Sequence, residues 1–130
     1  MMQTPVPDTT AILVAAGASR RMGFDKLSYR LPDGRTVLET SCAALAAHPA
    51  VRQLVLVAGA NRPECERIAA ACPKPCCVVD GGETRADSVR NGLAAAEGTL
   101  VAIHDAARPF VSQAVITAAL EAAARTGAAA

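Results

Sequence analysis

Apolar residues along this chain come in short unbroken runs, separated by polar or helix-breaking residues. Ala11-Ile-Leu-Val14, Leu54-Val-Leu-Val57, Cys76-Cys-Val-Val79 and Leu100-Val-Ala-Ile103 contain no polar position other than cysteine. Such runs, bounded by turn residues, read as strands buried on both faces. Helical signals lie between them. Thr36 precedes Val37, Leu38, Cys42 and Leu45 at near-helical spacing, and Pro49 stops that segment at about Ala47. Asn61 is placed to cap a second helix, with Pro63 in its first turn and Pro73 and Pro75 at its end. A Gly81-Gly82 turn leads into a third helix from about Thr84 to Ala96. Ser112 opens a fourth, which runs to about Thr126 and ends at Gly127.

Strands of this kind, each followed by a helix, predict an α/β fold: a Rossmann-like, doubly wound, mainly parallel sheet with helices on both faces. Residues 1–10, with Pro5 and Pro7, are expected to form a flexible N-terminal tail, and 11–130 a single domain. Gly127-Ala-Ala-Ala130 reads as the opening of a further strand, so that domain is expected to be incomplete at its C-terminal end.

Composition narrows the picture. The chain of 130 residues is 52 % hydrophobic but only 2 % aromatic, so its core must be built from Ala, Val, Leu and Ile. A formal net charge of +1 argues against a partner met through a basic excess, either nucleic acid or a membrane surface. An anionic ligand would have to be met by local charges. The five cysteines are odd in number, and the run Ala11 to Ala16 is too short to span a membrane. A reduced, cytoplasmic protein is the simplest reading. Cys72-Pro-Lys-Pro-Cys76-Cys77 lacks the CxxC spacing of a zinc site, which favours small packing residues there.

Three polar motifs follow directly after strands, where ligands of such sheets bind. In Ala15-Ala-Gly-Ala-Ser-Arg-Arg-Met-Gly-Phe-Asp-Lys26, the small Ala15, Ala16 and Gly17 let backbone N–H groups approach an anion. Arg20, Arg21 and Lys26 would surround it with positive charge, as a triphosphate in a partly dry site requires. Neither GxxxxGK[ST] nor GxGxxG is present, which counts against ATPases and dehydrogenases. In Asp80-Gly-Gly-Glu-Thr-Arg-Ala-Asp-Ser88, paired glycines permit unusual backbone angles and contact with a flat base, with the Ser88 hydroxyl as a further polar group. A plain strand-to-helix turn is the competing reading. In His104-Asp-Ala-Ala-Arg-Pro109, a strand-end carboxylate at Asp105 suits Mg²⁺, and Arg108 could meet a phosphate. A structural Asp105–Arg108 pair competes with that reading, and His104 reads as a packed strand-end residue.

Together, AAGASRRMG…K, DGGETRADSV and HDAARP resemble 2-C-methyl-D-erythritol 4-phosphate cytidylyltransferases, from about Ala11 onward. The resemblance implies attack of the 4-phosphate of methylerythritol phosphate on the α-phosphorus of CTP, with pyrophosphate leaving and Mg²⁺ as cofactor. By position it implies catalytic roles for Arg21 and Lys26. It places Ala15, Ala16, Gly17, Gly82, Glu83, Arg85 and Ser88 around the nucleotide, the Gly82, Glu83 and Ser88 group near cytosine. It makes Asp105 the metal ligand and Arg108 a contact on the sugar-phosphate side. It also implies CTP and a sugar-alcohol phosphate as partners, and a homodimer at full length. Gly23-Phe-Asp-Lys departs from a pattern in which many members have proline directly before the lysine, and is also similar to molybdenum-cofactor guanylyltransferases. A cytidylyltransferase for ribitol 5-phosphate or another alditol phosphate, and a nucleotide-binding module without turnover, stay open as alternatives.

Overall fold

The computed structural model describes residues 8–16 and 26–127. Strands β1 Thr9–Val14, β2 Val51–Ala58, β3 Cys76–Asp80 and β4 Leu100–Asp105 form one sheet in the order β3-β2-β1-β4. Every pairing in it is parallel. Helices α1 Val37–Ala46, α2 Arg62–Ala71 and α3 Arg85–Ala95 connect successive strands, and α4 Gln113–Thr126 follows β4. This is the Rossmann-like parallel arrangement that the pattern of apolar runs predicts.

Alternation along the strands divides the core in two. Ala11 and Leu13 of β1, with Leu54, Leu56 and Ala58 of β2, face α1, α2 and α4. Ile12, Val14, Val55 and Val57 face the other side, against Val89 of α3 and Ala95 and Ala96 at its end. The chain steps from β1 to β2 to β3 with α1 and α2 on one face. Helix α3 then returns it across the opposite face to β4, beyond β1. The direction of winding therefore reverses between β1 and β4, and in such sheets ligands bind at that point, outside the carboxyl ends of the strands.

The strands are longer than their apolar runs. β1 begins at Thr9, so Thr9 and Thr10, which the pattern assigns to the tail, are fully buried strand residues. They are tolerated because their polar atoms find partners. Thr10 Oγ1 donates to Gln53 Oε1 at 2.8 Å and accepts from Gly98 N–H at 2.9 Å. Gln53, inside β2, also donates through Nε2 to the Ala95 carbonyl at 3.1 Å. Residues 1–7 of the expected tail and residues 128–130, with most of the expected further strand, lie outside the described residues.

Helix ends follow local chemistry with one exception. Thr36 and Glu39 form a reciprocal capping box on α1. Thr84 and Ser112 accept N–H bonds from Asp87 and Val115, and Gly127 closes α4 in the left-handed region at φ 90°. Asn61, expected to cap α2, occupies that position but makes no capping bond, because its side chain is engaged elsewhere. All five cysteines are free thiols. Contact with Cys42 and burial push the Cys76 thiol up, and burial pushes up Cys72 and Cys77. Cys72, Cys76 and Cys77 are therefore packing groups rather than nucleophiles.

Candidate functional site

β1 and β4 run out side by side at the point where winding reverses. Val14 pairs in register with Asp105, and Ala106 N–H donates to the Val14 carbonyl at 3.2 Å. On the other side of β1, Ala15 N–H donates to the Val57 carbonyl at 2.9 Å, so the ladder holds Ala15 before the chain leaves the sheet. Ala15 is buried and Ala16 half-buried. Gly17 and Arg21 lie outside the described residues. So does the Lys26 side chain; its backbone starts a 3-10 turn at Lys26–Ser28 that is anchored in the core by buried Leu27.

The exit from β3 crosses the end of β2 to reach β1. Gly81 N–H donates to the Ala58 carbonyl at 2.8 Å. A methyl group on Gly81 would lie 2.5 Å from Ala16 Cβ, so the second motif rests directly on the first. Neither Gly81 nor Gly82 has a positive φ. The expectation of unusual backbone angles is thus replaced by a steric one: a Cβ at Gly82 would lie 2.3 Å from that of Asp87. Ser88 is buried beneath the turn, where its Oγ accepts from Gly82 N–H at 3.1 Å. Gly82, Glu83 and Arg85 are exposed around it. Asp80, the last residue of β3, pairs with Arg62 at 2.6 Å, and its carbonyl accepts from Asn91 Nδ2 at 2.9 Å.

The exit from β4 is a tight turn built on Asp105. Its Oδ1 accepts from Ala107 N–H at 2.9 Å, and its carbonyl accepts from Arg108 N–H at 3.0 Å. His104 Nε2 lies 2.8 Å from the Arg108 carbonyl, which makes that nitrogen the donor. Buried Ser41 of α1 donates through Oγ to the Ala106 carbonyl at 2.6 Å and fastens the turn from below. The Asp105–Arg108 pair is not formed. Arg108 is exposed and, like Arg85, makes no ion pair among the described residues.

Ala15, Ala16, Gly82, Ser88 and Asp105 are thus brought to one rim, with Glu83, Arg85 and Arg108 on its margin. The motif reading missed three supporting residues. Ser41 carried a signal, since it is a polar residue on the apolar stripe of α1 beside Leu38, Cys42 and Leu45. Asn61 and Arg62 carried none, because their partners are distant in sequence.

A family model described as IspD, 2-C-methyl-D-erythritol 4-phosphate cytidylyltransferase, matches residues 9–130. The chain is 44 % identical over 128 residues to a protein of that description from Deinococcus radiodurans, covering 97 % of this chain and 51 % of that one. It is 48 % identical over 119 residues to a bifunctional enzyme IspD/IspF from Anaeromyxobacter dehalogenans, covering 91 % and 31 %. Among solved structures, a 4-diphosphocytidyl-2C-methyl-D-erythritol synthase from Anaerococcus prevotii superposes with a TM-score of 0.73 at 26 % identity, covering 88 % of this chain and 49 % of that one. The 2-C-methyl-D-erythritol 4-phosphate cytidylyltransferase of Thermus thermophilus superposes with a TM-score of 0.61 at 34 % identity, covering 90 % and 50 %. The chain spans about half the length of these relatives, and less of the bifunctional one.

Proposed function

The chain belongs to the 2-C-methyl-D-erythritol 4-phosphate cytidylyltransferase family, and we propose that it is the nucleotide-binding part of an enzyme that transfers CMP from CTP to 2-C-methyl-D-erythritol 4-phosphate. One observation carries the reading: motifs from three strand ends meet at one rim, Gly81 against Ala16 and Asp105 in register with Val14. In this reading one nucleoside triphosphate spans the three motifs.

The chemistry needs no general base. The acceptor phosphate is already ionised at neutral pH, so its oxygen attacks the α-phosphorus of CTP directly. The bond from that phosphorus to the oxygen bridging the β-phosphate breaks, and pyrophosphate leaves. What remains for the protein is alignment and neutralisation of developing charge. We assign the backbone of Ala15, Ala16 and Gly17 to the phosphates, and Arg21 and Lys26 to the charge on the pentacoordinate phosphorus. Gly82 and Glu83, supported by Ser88, frame cytosine, with Arg85 beside them. Arg108 faces the acceptor.

Asp105 is the residue to hold Mg²⁺. Among the described residues no group of three or more His, Cys, Asp or Glu is arranged to hold a metal. A single carboxylate nonetheless fits, because Mg²⁺ is commonly bound through one or two carboxylates plus substrate phosphate oxygens and water. When bound, the ion supplies charge neutralisation along the triphosphate. In the same reading the enzyme is cytoplasmic, a homodimer at full length, and independent of nucleic acid and membrane. No helix of the described residues is long and apolar enough to cross a membrane.

CTP with Mg²⁺ is expected to raise the melting temperature more than GTP or ATP, and to be transferred to 2-C-methyl-D-erythritol 4-phosphate in a labelled-CMP assay of the full-length enzyme. Equal or tighter binding of GTP by calorimetry overturns the base assignment. Asp105→Asn is expected to raise the Mg²⁺ needed for half-maximal CTP binding by about ten-fold, roughly 1.4 kcal/mol. An unchanged Mg²⁺ titration removes Asp105 from the metal site.

A further inference from the structure

The turn between β2 and α2 holds the start of the phosphate loop, and Asn61 is its centre. Asn is among the strongest N-cap residues, and Asn61 sits at the N-cap of α2, yet its carboxamide caps no backbone N–H of the helix; its one contact there is with Cys65 Sγ, 3.8 Å from Oδ1. Oδ1 accepts from Gly59 N–H at 3.0 Å. Nδ2 donates to the carbonyl of Ala15, 46 residues away, at 3.3 Å. The next residue, Arg62, reaches the other side of the site and pairs with Asp80 at 2.6 Å. One turn therefore ties the exits of β1 and β3 together.

The bond to Ala15 has a directional consequence. Ala15 N–H and its carbonyl both turn toward the β2 side, to Val57 and Asn61 respectively. A trans peptide sets its C=O and the following N–H on opposite sides. Anchoring the Ala15 carbonyl toward β2 thus sends the Ala16 N–H toward β4, whose Asp105 pairs in register with Val14 of β1. We propose that Asn61 is a positioning residue, whose side-chain amide fixes the Ala15–Ala16 peptide so that the Ala16 N–H faces the bound triphosphate. This rests on the cytidylyltransferase reading of the site, and it adds a residue that touches neither nucleotide nor acceptor.

Asn61→Asp separates the two bonds. The carboxylate still accepts from Gly59 but cannot donate to Ala15, and its charge opposes the carbonyl and any nearby phosphate. Asn61→Ala removes both bonds, and the weaker contact from Cys65 Sγ, without adding charge. His48→Gln, at the opposite end of the sheet, serves as a control that perturbs stability alone. CTP·Mg²⁺ affinity is measured by calorimetry, and melting temperature by scanning calorimetry without nucleotide. Asn61→Asp is expected to bind CTP·Mg²⁺ at least ten-fold more weakly and Asn61→Ala several-fold more weakly, with smaller losses of melting temperature than His48→Gln, whose affinity is that of the wild type. Wild-type affinity in both Asn61 variants overturns the positioning role and leaves the cytidylyltransferase reading standing. Affinity that falls only in proportion to melting temperature, in the control as well, makes Asn61 merely structural and overturns it too. Failure of the wild-type chain to bind CTP·Mg²⁺ sinks the reading of the site itself, and the positioning role with it.

Discussion

A methyl group added at Gly81 would approach Ala16 Cβ to 2.5 Å, Ser88 Oγ to 3.0 Å and the Ala58 carbonyl to 3.3 Å. The first two belong to the candidate nucleotide site, so that one atom would wedge the β1 and β3 exits apart. Gly81→Ala is expected to cost about 1–3 kcal/mol by overpacking, and to weaken CTP binding beyond what that loss explains. Urea denaturation and nucleotide titration of the same variant check both; a variant with intact CTP affinity would show that the two motifs work independently. Residues of this kind were legible in sequence as positions and less so as causes. Small residues and a carboxylate placed right after apolar strands pointed to Ala15, Ala16, Gly82 and Asp105 because the strand itself delivers them to one rim. The reason for Gly81 and Gly82 was misread as backbone freedom, since only the folded chain shows Ala16 and Asp87 beside them. The supporting bonds of Ser41 to Ala106 and Asn61 to Ala15 cross 65 and 46 residues, and no local pattern encodes such partners.

At the scale of elements, what was readable is what is local. The box on α1 joins residues three apart: Thr36 N–H donates to Glu39 Oε1 at 2.9 Å, and Glu39 N–H to Thr36 Oγ1 at 3.1 Å. The Thr36 amide holds the Glu39 carboxyl below its ordinary range, with Arg67 contributing at longer reach. A carboxylate whose folded pKa is depressed adds stability that is present above its unfolded value and lost as pH falls through the folded one. Glu39→Gln keeps an acceptor for the Thr36 amide and removes the titration. It is therefore expected to flatten the loss of stability on acidification below about pH 4.5, while changing stability at neutral pH little. Thr36→Ala should instead cost about 1 kcal/mol at neutral and acidic pH alike. Chemical denaturation at several pH values separates the two, and an unaltered acid slope in Glu39→Gln would discount the carboxylate. The strand ends were less legible than the helix caps for the converse reason. Thr10 and Gln53 look like loop residues until the neighbouring strand, the end of α3 and the Gly98 turn supply their hydrogen bonds.

Across the whole molecule, the two ends of the parallel sheet carry different burdens. The carboxyl end carries the candidate site, and the amino end carries a polar clasp centred on His48 in the connection from α1 to β2. Its Nδ1 accepts from Ala50 N–H at 3.1 Å, which requires that nitrogen to be unprotonated. Its Nε2 then carries the proton and donates to Thr117 Oγ1 of α4 at 2.8 Å. Lys74 closes the clasp, donating through Nζ to the His48 and Val51 carbonyls at 2.6 Å each. Burial, and the Lys74 charge after it, hold the His48 pKa below its ordinary 6.5. A histidine with a depressed folded pKa binds its proton more readily in the unfolded chain. Its stabilising contribution is complete above about pH 6.5 and is lost as pH falls toward the folded value. Stability should thus decline below neutrality with a slope of at most about 1.4 kcal/mol per pH unit from this one group. His48→Gln should cost about 1–2 kcal/mol at pH 7.5, where the clasp is intact, and should remove that slope between pH 6.5 and 5. Its affinity for CTP·Mg²⁺ should be unchanged, because the clasp and the site sit at opposite ends of the strands. Urea midpoints across that pH range, at constant ionic strength, test the first expectation. If wild type and variant decline in parallel, His48 is not the group that titrates; if the variant also loses CTP affinity, the two ends of the sheet are coupled through the strands.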